Sequence, residues 1–395
     1  MKKNLILLFF STLISLVLFC FLLYIYTFIN LNKTTSYKFN SIELLEFHKK
    51  YSSVMHHLRA NEQILRKNSK RTEYLFSIIN EFKPETDNIL FQGDSWAEQL
   101  SFPREKVNKI PNTEDSVKKI FKDKNTGFIN AGIQSFSPTV MKLQLKILED
   151  EFKVTPNIII AYIDQSDLGD ENCRYKKNKI FKNNKLVAVK TKSHSGRLFD
   201  YSQIYGESEI LLKDHSKSKK ALNLLIFRIK YNFIKIKNKN IEKFLKILKS
   251  GLKERKIEKC YWNTIQEYLN QSTNDEINYF KDSVDQYINY IERKKNIKRL
   301  FIVTFPHKRH IAKLLKDSEK PYKHNVSELV SDLVKNKKKT YHINFTKLIF
   351  EHNFPIAKDS YIKDDPASHL GYEYYEKFFM NKIINYIFDN LNNQI

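Results

Sequence analysis

From Leu5 to Ile29 the chain reads LILLFFSTLISLVLFCFLLYIYTFI without a charged side chain. As a helix, a run of that length crosses about 30 Å of hydrocarbon. A cleavable leader would carry a shorter apolar core of about 7 to 15 residues and a small-residue cleavage site. Neither is present. Lys2 and Lys3 precede the run with no acidic neighbour, so the positive-inside rule keeps the short tail in the cytoplasm and sends the body outside. The rival orientation, with Lys33 and later lysines holding the body inside, has less support under the same rule. The expected topology is a single-pass membrane protein anchored through residues 5–29, its domain extracytoplasmic, periplasmic or at the cell surface.

The remaining length exceeds what one typical domain needs, so one enlarged domain or two domains follow. Composition is that of a globular chain, 42% hydrophobic and 28% charged, and with 8 Gly and 9 Pro it is not linker-rich. The net charge of +24 suggests a polyanion partner. Nucleic acid fits poorly: the topology opposes it, no nucleic-acid motif accompanies the charge, and lysine is spread along the whole chain. Anionic headgroups or acidic polysaccharide suit an external basic surface better. Of three cysteines, Cys20 lies in the apolar run, while Cys173 and Cys260 could form a disulfide in an oxidising compartment or stay as buried thiols. Their spacing matches no metal motif.

Residues 1–33 form the tail and anchor, and 34–85, with apolar residues such as Leu44, Leu58, Leu75, Ile78 and Ile79 at helical spacing, read as a helical stalk. His56 and His57 within it point in different directions on a helix. From residue 86 strand and helix signals alternate. NILFQ ends at Gly93, GFINAG follows, and NIIIAYI (157–163) is apolar throughout, as in a strand covered on both faces. RLFIVTF and TYHINF repeat the signal further on. Ser137 and Pro138 begin a helix whose face carries Val140, Leu143, Ile147 and Leu148. The fold class is therefore α/β, a flavodoxin-like three-layer α/β/α domain over 86–395 with a mainly parallel sheet. A large insertion occupies about 172–296, more than a crossover helix requires. It opens on a hairpin-like KIFKNNKLVAVK with Asn183 and Asn184 as the turn and continues as a lysine-rich stretch. That stretch reads as core-covering helices with a solvated basic face, or as a surface for anionic headgroups.

In an open parallel sheet, ligands bind beyond the carboxyl ends of the strands where the chain reverses direction. Ser95 stands at one such end, in QGDSW. Gly132 stands at the next, in NAGIQS, and the polar run Asp164, Gln165, Ser166, Asp167 at the third. A hydroxyl, a small residue that admits close backbone approach and a polar cluster are materials for acyl transfer. A serine nucleophile needs a base. His369, in KDDPASHLGYEYY, lies before the final helix with Asp364 and Asp365 upstream. A histidine so placed can take the serine proton while a carboxylate orients its ring. His307 and His310, after RLFIVTF, could line the same mouth. The plainer readings are a Gly-Asp turn with a solvated hydroxyl at Ser95 and a helix-capping histidine at position 369.

GDSW at 93–96, NAGIQS at 130–135 and DPASHLGYEYY at 365–375, in that order, resemble the motif blocks of the SGNH or GDSL hydrolases. Coverage extends over 86–170 and 296–391 and leaves the insertion outside. The resemblance implies Ser95 as nucleophile, His369 as general base and Gly132 as an oxyanion donor, with no metal or other cofactor. Two departures stand out. The family's oxyanion asparagine position holds Ser166, so Gln165 or Ser166 would replace it beside Asp167, and loss of one oxyanion donor costs about 10²-fold or more in rate. The family's aspartate position holds Pro366, so Asp365, with Asp364 behind it, is expected to orient His369. The expected function is a serine esterase or O-acyltransferase acting on acyl esters, acetyl foremost, of cell-envelope polysaccharide, with lipid esters as a second substrate class. The alternative is a catalytically weakened SGNH fold that binds glycan or serves as an assembly subunit.

Overall fold

The computed structural model describes residues 2–29, 75–101, 113–189, 272–308, 326–351, 360–363 and 369–392, with isolated positions such as 51 and 356. Most of the expected stalk, most of the insertion, His310, Asp364, Asp365 and Cys260 lie outside the described residues. The chain divides into two units, one containing the first helix and one containing the sheet.

In the first unit, α1 (Lys2–Ile29) is a helix of 28 residues with exposed Phe10, Leu16, Val17, Phe19 and Leu22. Among the described residues no helix is long and apolar enough to cross a membrane.

The second unit is an α/β domain. Its elements run β1 (Ser77–Asn80), β2 (Asn88–Gln92), α2 (Ser95–Glu98), α3 (Thr113–Asp123), β3 (Gly127–Asn130), α4 (Pro138–Phe152), β4 (Ile158–Tyr162) and α5 (Gln165–Gly169). They continue with β5 (Lys179–Lys182), β6 (Lys185–Val189), α6 (Asn274–Glu292), β7 (Arg299–Thr304), α7 (Val326–Val334), β8 (Thr340–Asn344), α8 (Phe345–Glu351) and α9 (Asn381–Asn392). The main sheet has the order β1-β3-β2-β4-β7-β8. All its neighbours are parallel except β1, which pairs antiparallel with β3. The parallel strands thus follow the flavodoxin-like order, whose reversal lies at β2.

The helical reading of residues 77–80 is corrected: they form the edge strand β1. Ile79 is buried and Ile78 exposed, the period-two alternation of a one-sided strand, and β-branched residues favour that setting. The hairpin does form as β5 and β6, with Asn183 and Asn184 at φ 50° and 58° as a tight turn with positive φ at both central residues requires.

Residues on opposite faces of β2 show where the helical layers sit. Phe91 meets Phe128, which stacks on Phe121 of α3, which in turn touches Phe388 of α9. On the other face, Gln92 donates to Met141 O and Gln144 Oε1 of α4 and accepts from Tyr287 of α6 at 2.9 Å. A fully buried amide needs such partners, since an unpaired one costs about 1–3 kcal/mol.

Ser137 is the N-cap residue of α4, but its side chain does not close the helix. Glu171, which follows β4 in the chain, does so, accepting from Thr139 N at 2.8 Å, Thr139 Oγ1 at 2.7 Å and Ser137 Oγ at 2.5 Å. Its negative charge lies where the first-turn N–H groups are unsatisfied.

Candidate active site

The strand β2 ends at Gly93, whose φ of +150° leaves the space a side chain would fill within 2.8 Å of Tyr162 Cβ. Glycine is required there on both counts. The chain then turns into α2. Asp94 caps it, its Oδ1 accepting from Trp96 N at 2.8 Å, so Ser95 is held at the first helical position, buried at 6% exposure.

His369 Nε2 lies 2.8 Å from Ser95 Oγ, although the two are 274 positions apart in the chain. Three contacts hold the imidazole's backbone. Ile362 N donates to His369 O, Gly371 N to Ser360 O, and Gln99 Nε2 to Leu370 O at 2.7 Å. Gln99 caps the far end of α2, so the helix that begins at Ser95 fixes the segment that carries His369. Tyr375 completes the clasp by donating to Trp96 O at 2.7 Å. Beneath them Trp96 stacks on Tyr162 and packs on Phe305, Phe379 and the His369 ring. Asp365, expected behind His369, lies outside the described residues.

Gly132 packs against the other side of α2. A Cβ there would lie 2.4 Å from Glu98 N and 2.5 Å from Ala97 C, so only glycine admits this approach. Its amide donates to Asn130 Oδ1 at 3.0 Å, while Asn130 Nδ2 donates to Ala97 O and Ser101 Oγ. Asn130 therefore joins the second strand end to the nucleophile helix.

The third strand end is a buried hydrogen-bonded cluster. Asp164 caps α5, with Asp167 Oδ2 accepting from Asp164 N at 3.0 Å. Ser166 donates to Asp164 Oδ1 through both its amide and its hydroxyl, each at 2.7 Å. Its hydroxyl also lies 3.5 Å from Asp94 Oδ2. The opposite oxygen of Asp164 receives His307 Nε2 at 3.0 Å. Gln165 is buried at 3% exposure. Burial pushes the Asp164 carboxyl up, but the His307 charge and hydrogen bonds from His307 and Ser166 outweigh it and hold Asp164 below the usual carboxylate range. Asp167 goes the other way: burial, then the charges of Asp164 and Asp94, push it well above that range.

Asp94, Asp164 and Asp167 offer carboxylate oxygens within 4.8 Å of one another, a spacing that could hold a cation. Asp94 Oδ1, both oxygens of Asp164 and Asp167 Oδ2 already accept hydrogen bonds from the protein.

The fold thus brings Ser95 and His369 together and sets Gly132 against their helix. It places Gln165, Ser166 and Asp167 in the capping structure of α5. Asn130, Gln99 and the pairing of Asp164 with His307 carry no local sequence signal. Asn130 and Asp164 stood inside compared blocks, without a role of their own. Chemically, the arrangement can transfer the Ser95 proton to His369 and present the serine oxygen to an electrophile. No family model matches the chain, and neither do any curated protein or solved structure.

Proposed function

We propose that the α/β domain is a serine esterase or O-acyltransferase of the SGNH kind, acting on acyl esters, acetyl foremost, of cell-envelope polysaccharide. The observation that carries the reading is the 2.8 Å contact between Ser95 Oγ and His369 Nε2, within the reach a general base needs. In the reaction, His369 takes the hydroxyl proton as the Ser95 oxygen bonds to the acyl carbonyl carbon. The tetrahedral oxyanion collapses as the C–O bond to the sugar breaks, and His369 returns the proton to the departing sugar oxygen. Water or an acceptor hydroxyl then attacks the acyl-serine, giving its proton to His369, which passes it to Ser95 Oγ as the ester breaks. Hydrolase and transferase differ only in that last nucleophile. Asp365 is the residue assigned to orient His369.

Two features support placement outside the cytoplasm. Lys2 and Lys3 open the apolar α1 without an acidic neighbour, and Cys173 is disulfide-bonded, a state that persists in oxidising compartments. In this reading α1 is the anchor, and the excess of lysine faces acidic polysaccharide or headgroups.

The test is labelling of the detergent-solubilised full chain with a serine-directed fluorophosphonate, together with acetyl release from an O-acetylated glycan. The wild type should label at Ser95, and Ser95→Ala should abolish both signals. Unchanged deacetylation in Ser95→Ala would sink the assignment. A second reading, a weakened module that binds glycan, draws on the Gly132 amide being bonded to Asn130 and Ser166 being turned to Asp164. Glycan binding without labelling of the wild type would favour it.

A further inference from the structure

We propose that Asp164 and His307 are positioning residues for Ser95, and that Ser166 is the link through which they hold the nucleophile turn, not a replacement oxyanion donor. The inference rests on Ser95 being the nucleophile and deepens that reading.

The connection can be followed atom by atom from one strand end to the other. His307, at the end of β7, places Nε2 at 3.0 Å from Asp164 Oδ2. Asp164 Oδ1 accepts from the Ser166 hydroxyl at 2.7 Å, and that hydroxyl stands 3.5 Å from Asp94 Oδ2. The other oxygen of Asp94 caps α2 through Trp96 N, one residue beyond Ser95. Two strand ends, those of β7 and β4, are thereby tied to the serine turn at the end of β2. Asp94, Asp164 and His307 are each no more than 3% exposed.

A hydroxyl at position 166 does what a carboxamide could not do as compactly. It is short enough to sit between two carboxylates that would otherwise repel. A carboxylate–imidazole pair this deep is worth little as net stability, but losing one member leaves an uncompensated buried charge. Asp164 therefore needs the Ser166 and His307 donors to stay where it is, the Ser166 oxygen stands against Asp94 Oδ2 at 3.5 Å, and Asp94 must stay for Ser95 Oγ to keep its 2.8 Å contact with His369. Displacement by about 1 Å at such a contact costs on the order of 10²-fold in rate.

The experiment compares the rate of fluorophosphonate labelling at Ser95, and kcat and KM for ester hydrolysis, in full-length wild type, His307→Ala, His307→Gln, Ser166→Ala and Ser166→Asn. A glutamine amide can still donate to Asp164. The expected result is a fall of about 10²-fold in labelling and kcat for His307→Ala with KM nearly unchanged, and recovery to within about threefold of wild type in His307→Gln. Ser166→Ala, the smaller change should the histidine variants fail to fold, loses about tenfold. Wild-type rates in a folded His307→Ala or in Ser166→Ala would overturn the proposal, as would a glutamine variant as slow as alanine. Ser166→Asn faster than wild type would overturn it too, since that is the result expected of a restored oxyanion donor. Absence of Ser95 labelling in the wild type would instead overturn the nucleophile reading, and the positioning role with it.

Discussion

Two buried imidazoles stand at the same edge of the sheet, and each turns its Nε2 to an oxygen. His369 meets the hydroxyl of Ser95 at 2.8 Å, and His307 meets the carboxylate of Asp164 at 3.0 Å. Their exposures, 4% and 3%, do not distinguish them. The partner does. A hydroxyl can donate, so the nitrogen facing it can act as the acceptor of a proton. An ionised carboxylate only accepts, so the nitrogen facing it must carry its hydrogen and serves as an anchor. His342 supplies a third case: Nε2 meets Thr304 Oγ1 and Nδ1 meets Ser331 Oγ, both at 2.8 Å. Contact with a hydroxyl is therefore not enough to mark a base. What sets His369 apart is that its hydroxyl belongs to a serine held on a turn by a helix cap, a glycine contact and an asparagine latch.

The largest expected effect separates the first two histidines directly. His369→Ala should slow labelling of Ser95 by about 10³-fold without lowering the melting temperature in proportion, since it removes the proton acceptor itself. A loss no greater than that of His307→Ala would erase the distinction between base and anchor.

Gly132→Ala comes next. The added methyl would lie within 2.5 Å of the backbone at Ala97 and Glu98, so α2 must move. Overpacking of this kind costs about 1–3 kcal/mol. The Asp164–His307 contact lies on the far side of β2 from β3 and should survive. Denaturant unfolding read beside the labelling rate checks this: labelling should fall more steeply than stability. A variant that keeps the wild-type labelling rate would show that Gly132 does not fix the turn.

These contrasts also explain what could be read in advance. The apolar runs within NILFQ, NIIIAY and RLFIVT announced buried strands because a strand covered on both faces is mostly apolar. Ser95 and His369 were legible because each sits in a short block whose order along the chain implies adjacent strand ends. The Asp164–His307 pair was not. Its members are 143 residues apart; each was placed at a strand end, but nothing local pairs them until the sheet order sets β4 beside β7. Glu171 was hidden for the same reason: it caps a helix that begins 33 residues before it in sequence, so no local capping pattern exists. The edge strand β1 was misread because Leu75, Ile78 and Ile79 also satisfy helical spacing, and only pairing with β3 decides between the two periods.

The anchor side of the comparison is rich in buried carboxyls, and Asp170 tests their charge. Burial pushes it up to about 7, against the opposing charge of Arg174 at 2.9 Å. The folded-state value lies above the unfolded one of 3.8, so the folded chain binds more protons between about pH 4 and about pH 7, and stability falls as pH rises through that window. Asp170→Asn removes this slope. The stability of the variant relative to wild type should increase from pH 4 to pH 7 and then level off, by an amount on the order of a few kcal/mol. A difference independent of pH would mean that Asp170 stays ionised when folded.

His342 gives the smallest effect and the opposite sign. Burial lowers it to about 4 from 6.5, so below about pH 6.5 the unfolded chain binds the extra proton and stability falls as pH falls toward 4. In the wild type this slope runs against that of Asp170 over the shared window, and the two partly cancel. His342→Gln should therefore gain stability relative to wild type on acidification, where Asp170→Asn gains on alkalinisation, with a span on the order of 2 kcal/mol or less because the residue is only partly buried. Its labelling rate at Ser95 should equal that of wild type, because both His342 nitrogens already meet hydroxyls between β7, β8 and α7. If His342→Gln slowed labelling as much as His307→Ala, the effect of His307 would belong to any buried histidine in this sheet and not to the Asp164 connection.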